Sequence, residues 1–232
     1  MFTDICNMHI LIVAATRPEI QHTIDFFEEK KEDQQLKIQV AFTGVGLMSA
    51  TYAISKLVSA HRPQLVIQAG IAGCFEANKN NTIVAIRKDT PADIGVCETD
   101  VFKTVFDLKL ADENDFPFTN GELVNPYQKL LSIAGIGQAN AITVNEITTD
   151  RKRIDWYQQK YNPFVESMEG AALHFVCLQE KISFLQLRSI SNYIGERDKS
   201  KWSIKEAIGI LNENLISLIK KLSTCHETDF RI

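Results

Sequence analysis

Val165-Glu166-Ser167-Met168-Glu169-Gly170-Ala171-Ala172-Leu173-His174-Phe175-Val176-Cys177 is the stretch on which the reading of this chain turns. Asn162 and Pro163 just ahead combine an N-cap residue with a helix-compatible proline, which predicts a helix starting here. At helical spacing, Val165, Met168, Ala172, Phe175 and Val176 make one apolar stripe. Glu169 shares that face, and Glu166 falls one turn earlier, closer to the rim. A carboxylate on a core-facing stripe is costly unless something pairs with it, although the helix N-terminus offers some help. The ordinary account is a structural acid satisfied by backbone N–H groups and a buried arginine. The small residues Gly170, Ala171 and Ala172 point the other way, because they leave room for a ligand. What Glu169 holds is the question put to the rest of the chain.

Upstream, His9 to Ala15 is short and continuously apolar, the pattern of a fully buried strand. Pro18-Glu19 opens a helix with Ile20, Ile24 and Phe27 on its apolar side, and the charge run Glu28 to Asp33 reads as its solvated end. Lys37 to Phe42 alternates as a strand, and Thr43-Gly44-Val45-Gly46 turns it into a helix over 47–60. Gln64 to Ala69 is another buried strand, expected to end at Gly70-Ile71-Ala72-Gly73. Thr82 to Arg87 follows as a strand. Residues 88–125 read as strand fragments and a long surface loop. Pro126 to Ala134 and Asp150 to Tyr161 read as helices, with Ala139 to Val144 extended between them. Ser183 to Ser191 is a strand, and Trp202 to Leu222 a long amphipathic helix.

Strands alternating with helices, with no repeat and no Gly/Ser/Pro linker, predict an α/β fold. The expected architecture is a three-layer α/β/α arrangement around a central mixed, largely parallel sheet. Residues 1–222 are expected to form one domain, with 223–232 a frayed tail. In such sheets ligands sit beyond the carboxyl ends of the strands.

The 232 residues are enough for one sizeable core. Hydrophobic content of 45% and charged content of 23% are those of an ordinary soluble protein. A net charge of −4 argues against a nucleic-acid or anionic-membrane partner. No apolar run is long enough to span a bilayer, and Met1 to Met8 carries Asp4 and no basic residue, so neither membrane span nor secretory signal is expected. The five cysteines are scattered and odd in number, as in a cytoplasmic protein with reduced thiols. The histidines show no HExxH spacing, so no metal is expected.

Four strand ends carry polar or glycine-rich sequence: Thr16 to Glu19, Gly44 to Gly46, Gly70 to Gly73, and Arg188 to Asn192. Gly44-x-Gly46 is half of a dinucleotide loop, but the third glycine position is Ser49 and no acid ends the next strand, where Gln68 and Ala69 stand. Neither a GxxxxGK[ST] loop nor a GxSxG elbow is present, which removes nucleoside triphosphatase and α/β-hydrolase readings. Two glutamates, an arginine and an asparagine among glycine turns remain.

Ser167-Met168-Glu169-Gly170-Ala171-Ala172, Gly70-Ile71-Ala72-Gly73 and Arg188-Ser189-Ile190-Ser191-Asn192 resemble the purine nucleoside phosphorylase and nucleosidase superfamily. Within it the chain is most similar to the futalosine hydrolase family, a relative of methylthioadenosine/S-adenosylhomocysteine nucleosidases. Pro91 to Val96 and the segment from Asn192 to Trp202 share that likeness. The resemblance runs from His9 to about Leu222 and implies a cofactor-free cytoplasmic homodimer that hydrolyses a purine N-glycosidic bond.

Cleavage of that bond passes through an oxocarbenium-like ribose. The resemblance implies that Glu169 holds the ribose hydroxyls, where its charge also favours the developing cation. Met168 then packs on the sugar face, and Glu19 orients and deprotonates the attacking water. Arg188 is expected near that water, although it could simply neutralise a buried glutamate. Ile147, in Val144-Asn145-Glu146-Ile147-Thr148, aligns with the base-binding loop.

Two departures select among family activities. Nucleosidases for adenine nucleosides carry an aspartate where Asn192 stands. An asparagine cannot supply a proton, but its amide can donate to a 6-oxo group while its carbonyl accepts from N7–H. That favours hypoxanthine over adenine, since a mismatched hydrogen bond in a buried site is costly. Ile71 replaces a serine often found at the phosphate or water site, which makes water a better acceptor than phosphate. The activity implied is release of hypoxanthine and dehypoxanthinyl futalosine from futalosine, a step toward menaquinone. A purine nucleoside phosphorylase, a methylthioadenosine-type nucleosidase and a non-catalytic purine-binding protein are the alternatives. The carboxylated aromatic group at the 5′ end of futalosine needs a cation and apolar walls, for which Arg197, Lys199, Lys201 and Trp202 are available.

Overall fold

The computed structural model describes residues 8–29, 36–99 and 101–225. The far end of the charge run after Glu29 and the tail beyond Cys225 lie outside the described residues.

Strand β1 (Met8–Ala14) is buried at every position, which is why it reads as one continuous apolar run. Parallel partners flank it: β2 (Leu36–Phe42) on one side and β3 (Leu65–Cys74) on the other. Helices α1 (Arg17–Glu29) and α2 (Leu47–His61) make the crossovers. β3 then runs parallel to β10 (Ser183–Tyr193) along most of its length. β10 pairs antiparallel with β4 (Ile83–Pro91), β4 parallel with β8 (Gly137–Thr143), and β8 parallel with β9 (Val165–Ser167). β9 returns antiparallel to the end of β3. Strands β3, β10, β4, β8 and β9 therefore close into a ring, from which β1 and β2 extend beyond β3. The fold is a mixed α/β fold. Between 88 and 125, where the sequence reads as irregular, β4 continues to Pro91, a β5–β6 hairpin (Gly95–Glu98 and Val101–Thr104) follows, and β7 (Leu123–Val124) pairs with β4.

Helix α3 (Gln128–Ala134) and helix α4 (Arg151–Tyr161) fall where the sequence places them; Asp150 caps α4 by accepting from the Arg153 N–H. α5 (Gly170–Glu180) packs on α2, and α6 (Ile204–Leu222) packs on α1. No helix among the described residues is long and apolar enough to cross a membrane.

Two local expectations are overturned. Asn162 does not start a helix: it takes φ 42° as the C-cap of α4, and its N–H returns to the Gln158 carbonyl. Pro163 is thus the proline that commonly follows a helix end. Val165 to Ser167 form β9, wedged between β8 and β3, and the helix begins at Gly170. α5 is buried on nearly every side of its first two turns, so no apolar stripe distinguishes a face. The second correction concerns Gly70 to Gly73, which do not end β3 but continue it beside Arg188 to Asn192.

Candidate active site

The carboxyl ends of β1, β3 and β10, with β9 and the starts of α1 and α5, surround a cavity of about 410 Å3, within the range of small-molecule sites. Glu19, Ile71, Ile147, Met168, Glu169 and Asn192 all line it. Arg188 does not: it is 1% exposed and lies behind the wall.

Glu19 stands on the first turn of α1, set off by a break at Ile20 (φ −126°, ψ 16°). The break has a visible cause. In a continuous helix the Thr23 N–H would bond the Glu19 carbonyl. Here the side-chain amide of Asn212, from α6, is inserted between them. Asn212 Oδ1 accepts from the Thr23 N–H at 2.9 Å, and Asn212 Nδ2 donates to the Glu19 carbonyl at 2.9 Å. The displaced turn directs the buried Glu19 carboxylate toward the end of β3. Oε2 accepts from the Thr16 N–H at 2.8 Å and its hydroxyl at 3.0 Å, and Oε1 accepts from the Ile71 N–H at 3.2 Å. Ile71 thus contributes its backbone to Glu19, whatever its side chain excludes.

Glu169 is the N-cap residue of α5, yet its carboxylate does not cap that helix. Oε1 reaches across to the N-terminus of α2 and accepts the Gly46 N–H at 3.1 Å. A 15-residue helix places partial positive charge there, which suits a carboxylate. Gly46 sits at φ 94°, a conformation that favours glycine. Glu169 is therefore held by a neighbouring helix end, not by a core-facing stripe of its own helix.

Arg188 explains Gly70. A Cβ at Gly70 would lie 2.5 Å from Arg188 Nη1 and 3.0 Å from Glu19 Oε1, so the glycine leaves the space in which these groups meet. Arg188 Nε donates to Gln186 Oε1 at 3.1 Å and Nη2 to Gln68 Oε1 at 3.0 Å. Its nearest approach to Glu169 is 3.6 Å, from Nη1 to Oε2, which is an ion pair without a hydrogen bond.

Asn192 is half-buried beside Gly73. Its Oδ1 accepts from the Ser191 hydroxyl at 2.8 Å, and its Nδ2 donates to the Tyr193 carbonyl at 3.1 Å. Both atoms keep capacity for a further partner.

Glu166 departs from expectation. It is not on the rim but buried on β9, where it lines the cavity, and desolvation raises its carboxyl above the usual range. It accepts from the Thr148 N–H at 3.1 Å and contacts the Thr148 hydroxyl. Asn145 in the same loop accepts from the Leu47 N–H at 3.4 Å, and its own N–H donates to Asp93 at 2.5 Å. The loop that presents Ile147 is therefore tied at both ends. Thr16, Thr148 and Asn212 carry no motif; strand-end position was the available signal for Thr16, and none marked the other two.

At the cavity mouth, Arg197 lies 5.7 Å from the ring centroid of Trp202, whose indole N–H donates to the Glu196 carbonyl. Lys201 is paired with Glu196 at 2.7 Å, and neither it nor Lys199 lines the cavity. Among the described residues, no three or more His, Cys, Asp or Glu side chains are grouped to hold a metal ion.

This fold is that of the nucleosidases. The futalosine hydrolase of Helicobacter pylori strain 26695 matches with a TM-score of 0.77 over 93% of this chain and 98% of that one, at 18% identity. In sequence, the chain is 26% identical over 173 residues to the futalosine hydrolase of Thermus thermophilus, covering 73% of this chain and 75% of that protein. It is also 26% identical over 193 residues to the 5′-methylthioadenosine/S-adenosylhomocysteine nucleosidase of Bacillus velezensis, covering 78% and 79%. No protein-family model matches. The resemblance to futalosine hydrolases read from the motifs is thus present along most of the chain, with the adenosine-type nucleosidases close beside it.

Proposed function

We propose that this protein is an N-glycosyl hydrolase that cleaves futalosine to hypoxanthine and dehypoxanthinyl futalosine, in menaquinone biosynthesis. The observation that carries the reading is the convergence of Glu19, Glu169 and Asn192 on one cavity, each with a different set of neighbours. Glu169, held by a helix N-terminus and free of any hydrogen bond to Arg188, accepts the ribose hydroxyls and favours the oxocarbenium-like state. Met168 packs beneath the sugar. Glu19 takes a proton from the attacking water, whose oxygen bonds to C1′ as the C1′–N9 bond breaks. Arg188, behind Gly70, steadies both carboxylates with its charge. The electron pair of the broken bond passes to the purine, which takes up a proton and leaves as hypoxanthine. Asn192 meets the N7/O6 edge, and Ile147 closes over the base.

Arg197 beside Trp202 supports the futalosine assignment, since a cation against an aromatic wall suits a carboxylated aromatic 5′ group. The methylthioadenosine-type reading draws on an equal sequence likeness, but Asn192 opposes it. Ile71 opposes phosphorolysis. The proposal extends to a cytoplasmic homodimer in which residues 1–222 form one three-layer α/β/α domain with a largely parallel sheet. Exposed Met48 and Tyr52 on α2, next to Val45 of the cavity wall, give a second copy an apolar face to cover.

Incubation with futalosine, inosine and methylthioadenosine, each with and without phosphate, tests the reading by chromatography of the free base. Hypoxanthine from futalosine without phosphate is expected. Adenine from methylthioadenosine at a comparable rate would overturn the base assignment.

A further inference from the structure

Behind the cavity lies a fourth acid that the mechanism above does not use. Asp89, on β4, is completely buried. Its Oδ1 accepts from the Thr143 hydroxyl of β8 at 2.8 Å, and its Oδ2 accepts from Gln186 Nε2 of β10 at 2.9 Å. From there two chains of hydrogen bonds lead to the site. Gln186 Oε1 accepts from Arg188 Nε, Arg188 Nη2 donates to Gln68, and Gln68 Nε2 donates to the Glu169 carbonyl at 3.3 Å. On the other arm, Thr143 Oγ1 accepts from the Ala171 N–H at 2.8 Å, in the first turn of α5. A Cβ at Gly170 would lie 2.2 Å from Asp89 Oδ2 and 2.5 Å from Gln186 Oε1. The residue after Glu169 is glycine because the Asp89–Gln186 pair lies against it.

A fully buried guanidinium needs a compensating negative charge. Glu169 meets it at 3.6 Å as an ion pair without a hydrogen bond, and Asp89, one amide away, adds a second negative charge. We propose that Asp89 is a positioning residue for the glycosidic hydrolysis. Through Gln186 it orients Arg188 and adds to its counter-charge, and through Thr143 it anchors the start of α5, which leaves the Glu169 carboxylate to the ribose hydroxyls. The inference rests on the nucleosidase reading of the site.

Desolvation raises the Asp89 carboxyl to about 6, against the hydrogen bonds from Gln186 and Thr143 and the charge of Arg188. The titratable groups around it are few. β10 presents Arg188; β8 presents Thr143 and β7 presents Leu123, neither charged; α5 presents His174, which burial lowers to about 4 and so keeps neutral, with Glu169 at its N-cap. Above pH 6 Asp89 is ionised and balances Arg188. Below it Asp89 is protonated, and Arg188 is left to draw more strongly on Glu169.

The test compares wild type, Asp89→Asn and Gln186→Glu on futalosine across pH 4.5 to 8.5, reading kcat and KM separately. Wild-type kcat/KM is expected to fall about tenfold or more as pH drops through about 6, the scale of losing an outer-shell partner. Asp89→Asn should give the low value throughout, with no limb near 6. Gln186→Glu places a second carboxyl between Asp89 and Arg188; the pair shares a proton yet keeps one negative charge against Arg188 until both are protonated, so the limb moves down by about one pH unit or more. Asp89→Asn with wild-type kcat/KM and the same limb overturns the proposal. If that variant does not fold, an unmoved limb in Gln186→Glu overturns it. If wild type cleaves no nucleoside, the functional reading fails, and calorimetry with inosine then decides the role of Asp89. Wild-type affinity that weakens as pH falls through about 6 supports it, and pH-independent affinity overturns it.

Discussion

Glu19 and Glu169, on the cavity wall, take hydrogen bonds from backbone N–H groups: Thr16 and Ile71 for one, Gly46 for the other. Asp89, one layer behind, engages both oxygens with side chains and does not line that cavity. The wall acids are aimed by main chain that the sheet and helices already fix, so their direction follows from the fold. The interior acid is positioned by side chains from β8 and β10, and in turn positions Arg188 and α5. In the proposed mechanism the chemistry belongs to the first layer, and the geometry of that layer depends on the second.

Four substitutions and one control break or sharpen this contrast. The largest effect is expected from Glu19→Gln, which keeps the shape and removes the base. Turnover should fall by about 100-fold or more while calorimetric affinity for the nucleoside is largely retained; an active variant would remove Glu19 from its role. Gly170→Ala should come next, because its methyl cannot fit 2.2 Å from Asp89 Oδ2. Both activity and Tm are expected to drop, whereas Gly209→Ala, which meets nothing within 4 Å on α6, should leave activity unchanged and raise Tm slightly. Asn212→Leu removes the amide inserted into α1, so kcat should fall about tenfold with KM little changed, as Glu19 loses its fixed turn. The smallest effect on overall rate is expected from Asn192→Asp, which should lower hydrolysis of 6-oxopurine nucleosides and raise adenine release from methylthioadenosine in the same assay.

The wall was more legible in the sequence than the layer behind it. β1 was readable because a short unbroken apolar run marks a buried strand, and the strand-end rule then gathered Glu19, Asn192 and the Gly70 stretch. The start of α5 was not, for two physical reasons. Asparagine suits both ends of a helix, so Asn162 did not say which end it marked. A helix buried almost all round shows no face, so the apolar pattern ran unbroken from β9 into α5. Asp89 lay in a segment without periodicity, and its partners Thr143 and Gln186 are 54 and 97 residues away. Asn212 sat at an ordinary position of an amphipathic helix, and only the packing of α6 on α1 gives it a task.

The central claim is that these carboxylates and Asn192 release a 6-oxopurine to water. The most direct measurement is the appearance of hypoxanthine from futalosine in phosphate-free buffer, followed by chromatography. Hypoxanthine formed at the same rate with and without phosphate is the predicted result; release that requires phosphate, or none from futalosine while methylthioadenosine yields adenine, would contradict it.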